Sequence, residues 1–526
     1  MIRRLFAIDL RSLAAMRIAI AALALADLVV RATDLSTHYT DRGTLPRVDL
    51  LSWYADWHDV PVCLHLLGGS TWSQALLFSV HAALLLAVMV GWRTRFATVG
   101  AWLLTASLQL RYPLLVYGAD SVFRMVLLWG TLLPLGARWS VDAALATDDE
   151  VEAGNGGDVG DVPERRDWFG IAAGGLLVQV FAVVFIAGAA KAVTDFWTSG
   201  RGLAMALDHE MHTRHLGALL AGFPALTTLL TFLVLGLETV GAILLFAPWW
   251  PLRMVAIGGL WAMFAGIELS MRVGFFPLAT AAALLVFVPG GAWDAFESRC
   301  GATWHGCSAA VTKRCRVIAA ALRAKCGLAL PTSAPLPRLR RLPRFFIEGF
   351  AAALLAYVVV WNVGLWQSRD YTPSATILPF GKTFSLWQKW GMFTQFPDTG
   401  WFAVPGRLVD GRSVDLFARR GRLPALDDAL AGAPTMEERP DHVADQFRNV
   451  HWLALFYTMA VDPGEARPFT SYARYLCREW NRDRKGGEAL DSFEILYFHR
   501  PIEETPRVHP KEEYERAVLW RHRCFG

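Results

Sequence analysis

The chain has 526 residues, of which 54% are hydrophobic and 19% are charged, with a mean hydropathy of +0.32. A soluble globular protein usually has about 25% charged residues, so this composition argues against an ordinary soluble domain. The net charge of +4 is too small for a nucleic-acid-binding surface, and we predict no nucleic-acid partner. The predicted partner is instead the lipid bilayer.

Long apolar runs recur along most of the chain. About 20 apolar residues cross the hydrocarbon core of a bilayer as a helix. Helices are favoured over strands because each run is continuous and a lipid-exposed backbone must satisfy its own hydrogen bonds. The predicted spans lie at 13–30, 73–91, 97–117, 121–136, 169–190, 223–248, 252–270, 273–290 and 346–366. The predicted fold class is therefore an all-α polytopic membrane bundle of about nine transmembrane helices.

Basic residues in the connecting segments predict the orientation. They lie before span one, between spans two and three, between spans four and five, and in segment 291–345, which carries ten of them. Nine spans place all four segments on the same side, which the positive-inside rule makes cytoplasmic. We therefore predict a multi-pass protein of the inner (plasma) membrane with a cytoplasmic N-terminus and an extracytoplasmic C-terminal domain.

The spans and the composition of their connections divide the chain into six parts. An acidic, glycine-rich segment predicts a flexible cytoplasmic linker between two helical halves, and the basic segment predicts contact with anionic lipid on the inner leaflet. The parts are a first half (1–145), the linker (146–168), a second half (169–290), the basic segment (291–345), the last helix (346–366) and an outer domain (367–526).

The outer domain has the patterns of a small α+β fold. Alternating apolar residues flank Asp410-Gly411, which predicts a β-hairpin, and 491–499 predicts a further strand. Helices are predicted at 443–460 and 470–482. Because this compartment is expected to be oxidising, Cys477 and Cys524 form a disulfide in one hypothesis and are free thiols in the other.

Ionisable residues inside spans are costly, so each one is a candidate functional residue. Asp120 and Arg124 stand at an i,i+4 spacing, which places them on the same face of a helix. The alternative explanation for most of these residues is a structural ion pair in the bundle core. The candidates are Arg17, Asp27, Arg111, Asp120, Arg124, Glu238 and Glu268.

Lys191 stands at the end of an apolar run. Small residues at 187–190 precede it and indicate close packing against another helix. Close packing would remove water from the ammonium group, which favours the neutral amine and allows it to act as a general base. The alternative is that the side chain extends to the membrane interface.

Three histidines, His209, His212 and His215, follow each other at spacings of three residues. This spacing is compatible with a metal site. A polar interfacial loop is the simpler interpretation, because no obvious carboxylate or cysteine completes a ligand set. We therefore predict no metal.

Several short motifs stand in a characteristic order along the chain. They are DLRSLAAMRIAIAALALADLVVRATDLSTHYTDRGTLPR (9–47), LPLGARWSVDAAL (133–145), FIAGAAK (185–191) followed by WTSG (197–200), RVGFFP (272–277), WGMF (390–393), LVDGRSVDL (408–416) and SYARYLCREWN (471–481). These motifs, which extend over most of the chain, resemble those of the horizontally transferred transmembrane (HTTM) domain family, which includes the vitamin K-dependent γ-carboxylases.

The resemblance implies a carboxylase in which a deprotonated lysine starts the oxidation of vitamin K hydroquinone. The strong base so produced removes a glutamate γ-proton, and carbon dioxide adds to the carbanion. Lys191 takes the position of that lysine, and Met392, in the same motif as Trp390, takes that of a methionine beside the glutamate. The implied cofactor is reduced vitamin K or another quinone, and the implied partner is a peptide or protein substrate.

The chain departs from the family at two positions. Gly118 and Ala119 stand where the carboxylase has an Asn-His pair, and Phe264 stands where many members have a histidine. Asp120 or Glu268 is the candidate replacement base.

The predicted catalytic residue is Lys191. The predicted binding residues are Asp120, Arg124, Glu268, Trp390 and Met392. The alternative is a non-enzymatic membrane protein that binds a lipid, quinone or peptide, with a role in export or immunity. A transporter is disfavoured because no inverted repeat is evident.

Overall fold

The computed structural model confirms a multi-pass membrane protein. Among the residues that the structure describes, six helices are long and apolar enough to cross a bilayer. They are α1 (Leu10–Ala32), α2 (Thr71–Val90), α5 (Ile171–Ala192), α6 (Pro224–Gly236, continued to Leu244), α7 (Trp250–Ser270) and α9 (Arg344–Gln367). The structure describes residues 2–56, 63–145, 166–301, 317, 344–367, 371, 373–374, 376–503 and 513–525.

The other three predicted spans form shorter or bent helices. They are α3 (Thr94–Arg111), α4 (Gly118–Gly130) and α8 (Phe276–Ala283). The 18-residue helix α3 buries polar side chains, and α4 has only 13 residues. The segment that begins with α8 continues to Phe287 and is followed by a helix at Gly290–Gly301, with an angle of 96° between the two. It is a seventh span only if both helices together cross the membrane once. The count of nine spans stays a prediction.

At one end of the bundle, the first residues of the chain contact two later segments, near Asp167 and near Asp294. The strand β1 (Ile8–Asp9) pairs antiparallel with β2 (Asp167–Trp168). At the same end, Arg11 at the start of α1 donates to Asp294 and Glu297, both at 2.9 Å. Segments that the basic residues assign to the cytoplasm are thus neighbours in space. Which side of the membrane they occupy stays a prediction.

The C-terminal region contains a five-stranded antiparallel sheet. Its strands are β3 (Thr399–Ala403), β4 (Pro405–Leu408), β5 (Ser413–Asp415), β6 (Leu490–Arg500) and β7 (Glu515–Arg523). The long strand β6 pairs along one edge with β3 and β4 and along the other with β7, and β5 pairs with β4. The hairpin predicted around Asp410-Gly411 is confirmed as β4–β5, with Gly411 at φ 90 in the left-handed region that glycine adopts readily.

Two helices pack with this sheet, α10 (Val450–Val461) and α11 (Ala466–Trp480). The start of α10 is set by Asn449, whose side chain accepts from the amides of His451 and Trp452, as expected of an N-cap residue. Residues 443–446, expected in the same helix, form a 3₁₀ turn instead. The disulfide hypothesis is confirmed: Cys477 of α11 is bonded to Cys524, just after β7.

Short helices complete the connections. They are Ile2–Phe6, Leu35–Tyr39, Arg47–Asp56, Val141–Leu145, Asp195–Thr198, Gly202–Asp208, His215–Ala221, Leu378–Thr383 and Leu426–Gly432, with 3₁₀ turns at Leu64–Leu66, Pro113–Leu115, Leu284–Phe287, Val443–Gln446 and Gly486–Glu488. Most of the predicted linker (146–165) and of the predicted basic segment (302–316 and 318–343) lies outside the described residues.

The C-terminal domain packs against the bundle end opposite β1 and β2. Arg422 donates to Asp34 at 2.6 Å, just after α1 ends. Arg272, just after α7, contacts Asp445 at 3.4 Å. The domain therefore has a defined position over the ends of several bundle helices.

Candidate functional site

Lys191 lies in the last turn of α5 and forms a buried ion pair with Glu238 of α6. Its Nζ is 2.9 Å from Glu238 Oε1 and 2.6 Å from Oε2. The two side chains are only 3% and 6% exposed. An ammonium group at a helix C-terminus also interacts favourably with the helix dipole. A charged pair inside a membrane bundle is costly to maintain, which makes it a functional candidate.

Two local features bring these helices together. Residues Leu237–Gly241 form a π-helical turn in α6, a distortion frequent at functional sites. On the facing helix, a Cβ added to Gly188 would lie 2.6 Å from the Glu238 Cβ and 2.7 Å from its carbonyl carbon. The close packing predicted from the small residues before Lys191 is therefore confirmed.

Trp197 links this pair to the WGMF motif. The Lys191 Nζ lies 5.2 Å from the centre of the Trp197 ring, within range of a cation–π contact. Trp197 in turn donates through its indole N–H to the carbonyl of Phe393 at 2.7 Å. In the same motif, Trp390 is 2% exposed, and Met392 is half-buried. Trp197 thus connects Lys191 to the WGMF motif.

Residues 385–393, here called the inserted segment, are fixed to the bundle by Arg124 of α4. The Arg124 guanidinium donates to the carbonyls of Ser385 at 2.6 Å and Trp387 at 2.7 Å. It also stacks 3.8 Å from the centre of the Trp387 ring. Buried non-helical backbone needs such donors, because unpaired carbonyls are costly away from water.

Asp120 does not pair with Arg124, although both lie on α4 as the i,i+4 spacing predicts. Its ion-pair partner is Arg31 of α1, whose Nη2 is 2.7 Å from Asp120 Oδ1. Arg31 also donates through Nε to Asp27 at 2.6 Å. Gln109 bridges the two neighbours, because its Nε2 donates to the Asp120 carbonyl at 2.9 Å and its Oε1 accepts from Arg124.

Glu268 lies in a different part of the molecule. It pairs with Arg214 at 3.1 Å, and its side chain is 23% exposed. Its contacts place it beside the loop that follows α5 rather than beside Lys191. The expected cluster of binding residues is therefore divided between the Lys191 region, the Asp120 region and this separate pair.

The three histidines do not converge. His209 and His212 face each other with 3.1 Å between their Nδ1 atoms, whereas His215 stacks on His442 with ring centres 3.7 Å apart. Burial lowers the pKa of His212 to about 4 and that of His209 well below its usual range. Within the described parts of the chain, no group of three metal-ligating side chains is present.

Arg31 is a contact that sequence reasoning did not name. Glu238 was named as an ionisable candidate and Trp197 as part of the WTSG motif, but neither was assigned as a partner of Lys191. The Asp27–Arg31 pair has a recognisable signal in its i,i+4 spacing. For Lys191 and Glu238 the available signal is charge complementarity, since each stands in an otherwise apolar span and a buried charge requires a partner.

Comparisons of the chain with models of protein families, with curated proteins and with solved structures each give no match. The family resemblance therefore stays a prediction based on the sequence motifs.

Proposed function

We propose that this protein is a membrane enzyme similar to the vitamin K-dependent carboxylases, in which Lys191 is the base and a reduced quinone is the cofactor. The observation that supports this proposal is the buried Lys191–Glu238 pair. The pair lies where the inserted segment contacts the end of α5 through Trp197.

The role of Lys191 as a base requires Glu238. At contact distance, transfer of one proton from Nζ to a Glu238 oxygen gives a neutral amine and a neutral carboxylic acid. The amine lone pair then accepts a proton from a substrate hydroxyl, and Glu238 retains the proton that Lys191 released. Such a coupled pair is typical of general acid–base sites whose groups are shielded from water.

The residues around Lys191 fit a reduced quinone in their chemistry. The ion pair exchanges protons, and the adjoining surface is apolar and aromatic, with Trp197 over the ammonium and Phe196 packed on Phe396 at 5.4 Å between ring centres. A reduced quinone, when bound, would supply an acidic hydroxyl and the electrons that reduce dioxygen, the oxidant that such a reaction requires. The segment around Trp390 and Met392 is the proposed contact for a glutamate-containing peptide.

A non-enzymatic role is the second candidate, and one observation favours it. Both Glu238 oxygens engage the Lys191 ammonium, which leaves the side chain 3% exposed. In this alternative the pair only stabilises the bundle, and the protein binds a lipid, quinone or peptide in export or immunity.

Carbon dioxide incorporation tests the first proposal. The full chain in nanodiscs receives a reduced quinone and a glutamate-rich peptide. Lys191→Ala and Lys191→Arg are both expected to abolish incorporation, because arginine keeps the positive charge but does not give up its proton. Lys485→Ala removes an exposed lysine of the outer domain and serves as the matched control.

The same experiment separates the two candidates. Incorporation that persists in Lys191→Arg would reject Lys191 as the base. No incorporation in the unaltered protein, together with quinone binding that both Lys191 variants retain, would favour the binding protein. Glu238→Gln is expected to lower the rate more than tenfold while quinone binding is retained, since general acid–base groups contribute factors of about 10²–10⁴.

A further inference from the structure

A histidine of the C-terminal domain reaches a carboxylate inside the bundle. The Nε2 atom of His451, the second residue of α10, lies 3.3 Å from Oδ1 of Asp27 in α1. Both residues are buried, at 1% and 4% exposure. This contact joins parts of the chain that are more than 400 residues apart in the sequence.

The hydrogen-bonding pattern of His451 places a proton in this contact. Its Nδ1 lies 3.3 Å from the carbonyl oxygen of Leu115, which only accepts, so Nδ1 carries a hydrogen. In a neutral imidazole, Nε2 then carries only a lone pair and can only accept a hydrogen bond. Asp27 as a carboxylate also only accepts. Without a further proton, the lone pair of His451 Nε2 would face a lone pair of Asp27 Oδ1 in a buried site. One added proton, on either His451 or Asp27, turns this repulsive contact into a hydrogen bond.

The charges around the contact agree with this count. Asp27 and Asp120 share a single guanidinium, that of Arg31, at 2.6 and 2.7 Å. Among the groups in direct contact, two carboxylates share one guanidinium, so one carboxylate charge has no ion-pair partner of its own, and a single added proton neutralises it. The next cation, Arg124, uses its donors on two backbone carbonyls and the Gln109 side chain. Burial of an unbalanced charge is costly, so the added proton stabilises the site.

The other titratable groups near His451 do not supply that charge. Tyr117 donates its hydroxyl to Asp27 Oδ1 at 2.9 Å, so its phenol is neutral. Tyr39 accepts from Arg31 at 3.0 Å, and burial raises the pKa of its phenol to about 12. His38 is fully buried beside the ring of Trp452, and burial lowers its pKa to about 3. His38 is therefore neutral near physiological pH.

A small cavity with both polar and apolar lining residues adjoins the two carboxylates. Its volume is about 10 Å³, enough for roughly one water molecule. Its polar lining consists of Asp27, Asp120, His81, Thr105 and Gln109. The Nδ1 atom of His81, a side chain 3% exposed, has no hydrogen-bond partner in the structure. Water in this cavity has the two to four polar partners that a buried water needs.

We propose that Asp27 and His451 form a proton-binding site shared between the bundle and the C-terminal domain, with one water in the cavity that connects Asp27 to Asp120. The site holds one added proton, and that proton holds α10 against α1. It is separate from the Lys191–Glu238 pair and is independent of the proposed carboxylation.

Spectroscopy of the full chain in nanodiscs tests the proton directly. With ¹⁵N-labelled histidine, the ring nitrogens of His451 are expected to show an imidazolium near neutral pH, and Asp27→Asn is expected to return them to the neutral form. If the proton resides on Asp27 instead, infrared spectra with labelled aspartate are expected to show a protonated carboxyl band that disappears in Asp27→Asn. Either result supports the site.

Two further variants complete the test. His451→Gln assigns the histidine signal, and Asp27→Asn assigns it independently if the first variant does not fold. His499→Gln removes a more exposed histidine, which pairs with Asp398 at 2.7 Å, and is expected to leave the Asp27 and His451 signals unchanged. A neutral His451 together with an ionised Asp27 in the unaltered protein would overturn the proposal.

Discussion

The guanidinium of Arg500 forms a two-point ion pair with the carboxylate of Asp208, with Nη1–Oδ2 at 2.7 Å and Nη2–Oδ1 at 2.8 Å. Arg500 ends β6, and Asp208 ends the short helix Gly202–Asp208 above the bundle. Both side chains are 3% exposed. The pair therefore fixes the sheet of the C-terminal domain to the loop region that follows α5.

Removal of this arginine is expected to destabilise the domain contact strongly. Arg500→Ala leaves the Asp208 carboxylate buried without the guanidinium that balances its charge, which costs about 3–5 kcal/mol. Arg521→Ala is the matched control, because Arg521 is 73% exposed and its bridge to Glu494 contributes about 0–1 kcal/mol. Unfolding in detergent with a chemical denaturant gives both values. Equal unfolding midpoints for the two variants would contradict the assigned role of Arg500.

The Cys477–Cys524 disulfide closes a loop with a sequence separation of 47 residues. A loop of this length is expected to lose about 4 kcal/mol of stability when the bond is removed. The double change Cys477→Ser and Cys524→Ser is compared with Cys300→Ser, which removes an exposed free thiol. Mass spectrometry after alkylation without reduction provides the direct check. Alkylation at Cys477 or Cys524 in the unaltered protein would show that the bond is absent.

Local sequence patterns predicted the parts of the fold that depend on neighbouring residues. Continuous apolar runs predicted α1, α2 and α5, and Asp410-Gly411 predicted the β4–β5 hairpin. The predicted eighth span failed as a straight helix although its run is apolar. It bends near Pro289, where the ring removes a backbone donor and where Gly290 and Gly291 follow.

Partners across the fold could not be predicted in the same way. The i,i+4 spacing of Asp120 and Arg124 gives a shared helix face but not the identity of the charge opposite it, which proved to be Arg31 for Asp120. The Lys191–Glu238 pair likewise depends on the rotation of α5 and α6 about their axes. Packing of whole helices sets that rotation, and no single segment contains the information.

The predicted topology is tested with reporter fusions. A reporter that is active only outside the cytoplasm is expected to be active after Gly526, because the C-terminal domain packs against the bundle end opposite β1 and β2. The same reporter after Leu145 is expected to be silent, because the first half would return the chain to the cytoplasm. Silence after Gly526 with activity after Leu145 would invert the orientation.

The carboxyl group of Asp415 is expected to make the stability of the C-terminal domain depend on pH. Desolvation raises the pKa of its carboxyl from 3.8 to about 6, only partly offset by the hydrogen bond from the Phe417 amide. The folded domain therefore binds this proton more tightly than the unfolded chain, so acidification from above pH 6 towards pH 3.8 adds stability.

Asp415→Asn tests this contribution, because asparagine keeps the oxygen that accepts from Phe417 at 2.8 Å. The variant is expected to be more stable than the unaltered protein at about pH 8, with the difference shrinking as the pH falls to about 4. Melting temperatures of both proteins across this range are the measurement. A difference that is constant with pH would exclude Asp415 as the source.

A substitution at Gly188 tests whether the close contact of α5 and α6 positions the Lys191–Glu238 pair. Gly188→Ala places a Cβ 2.7 Å from the Glu238 carbonyl carbon, so α5 and α6 must separate, at a cost of about 1–3 kcal/mol. Gly258→Ala is the matched control, because no atom lies within 4 Å of its added Cβ. Melting temperatures give the stability, and carbon dioxide incorporation reports on Lys191. If the two alanine variants behave alike in both measurements, the close approach of these helices is not what positions the pair.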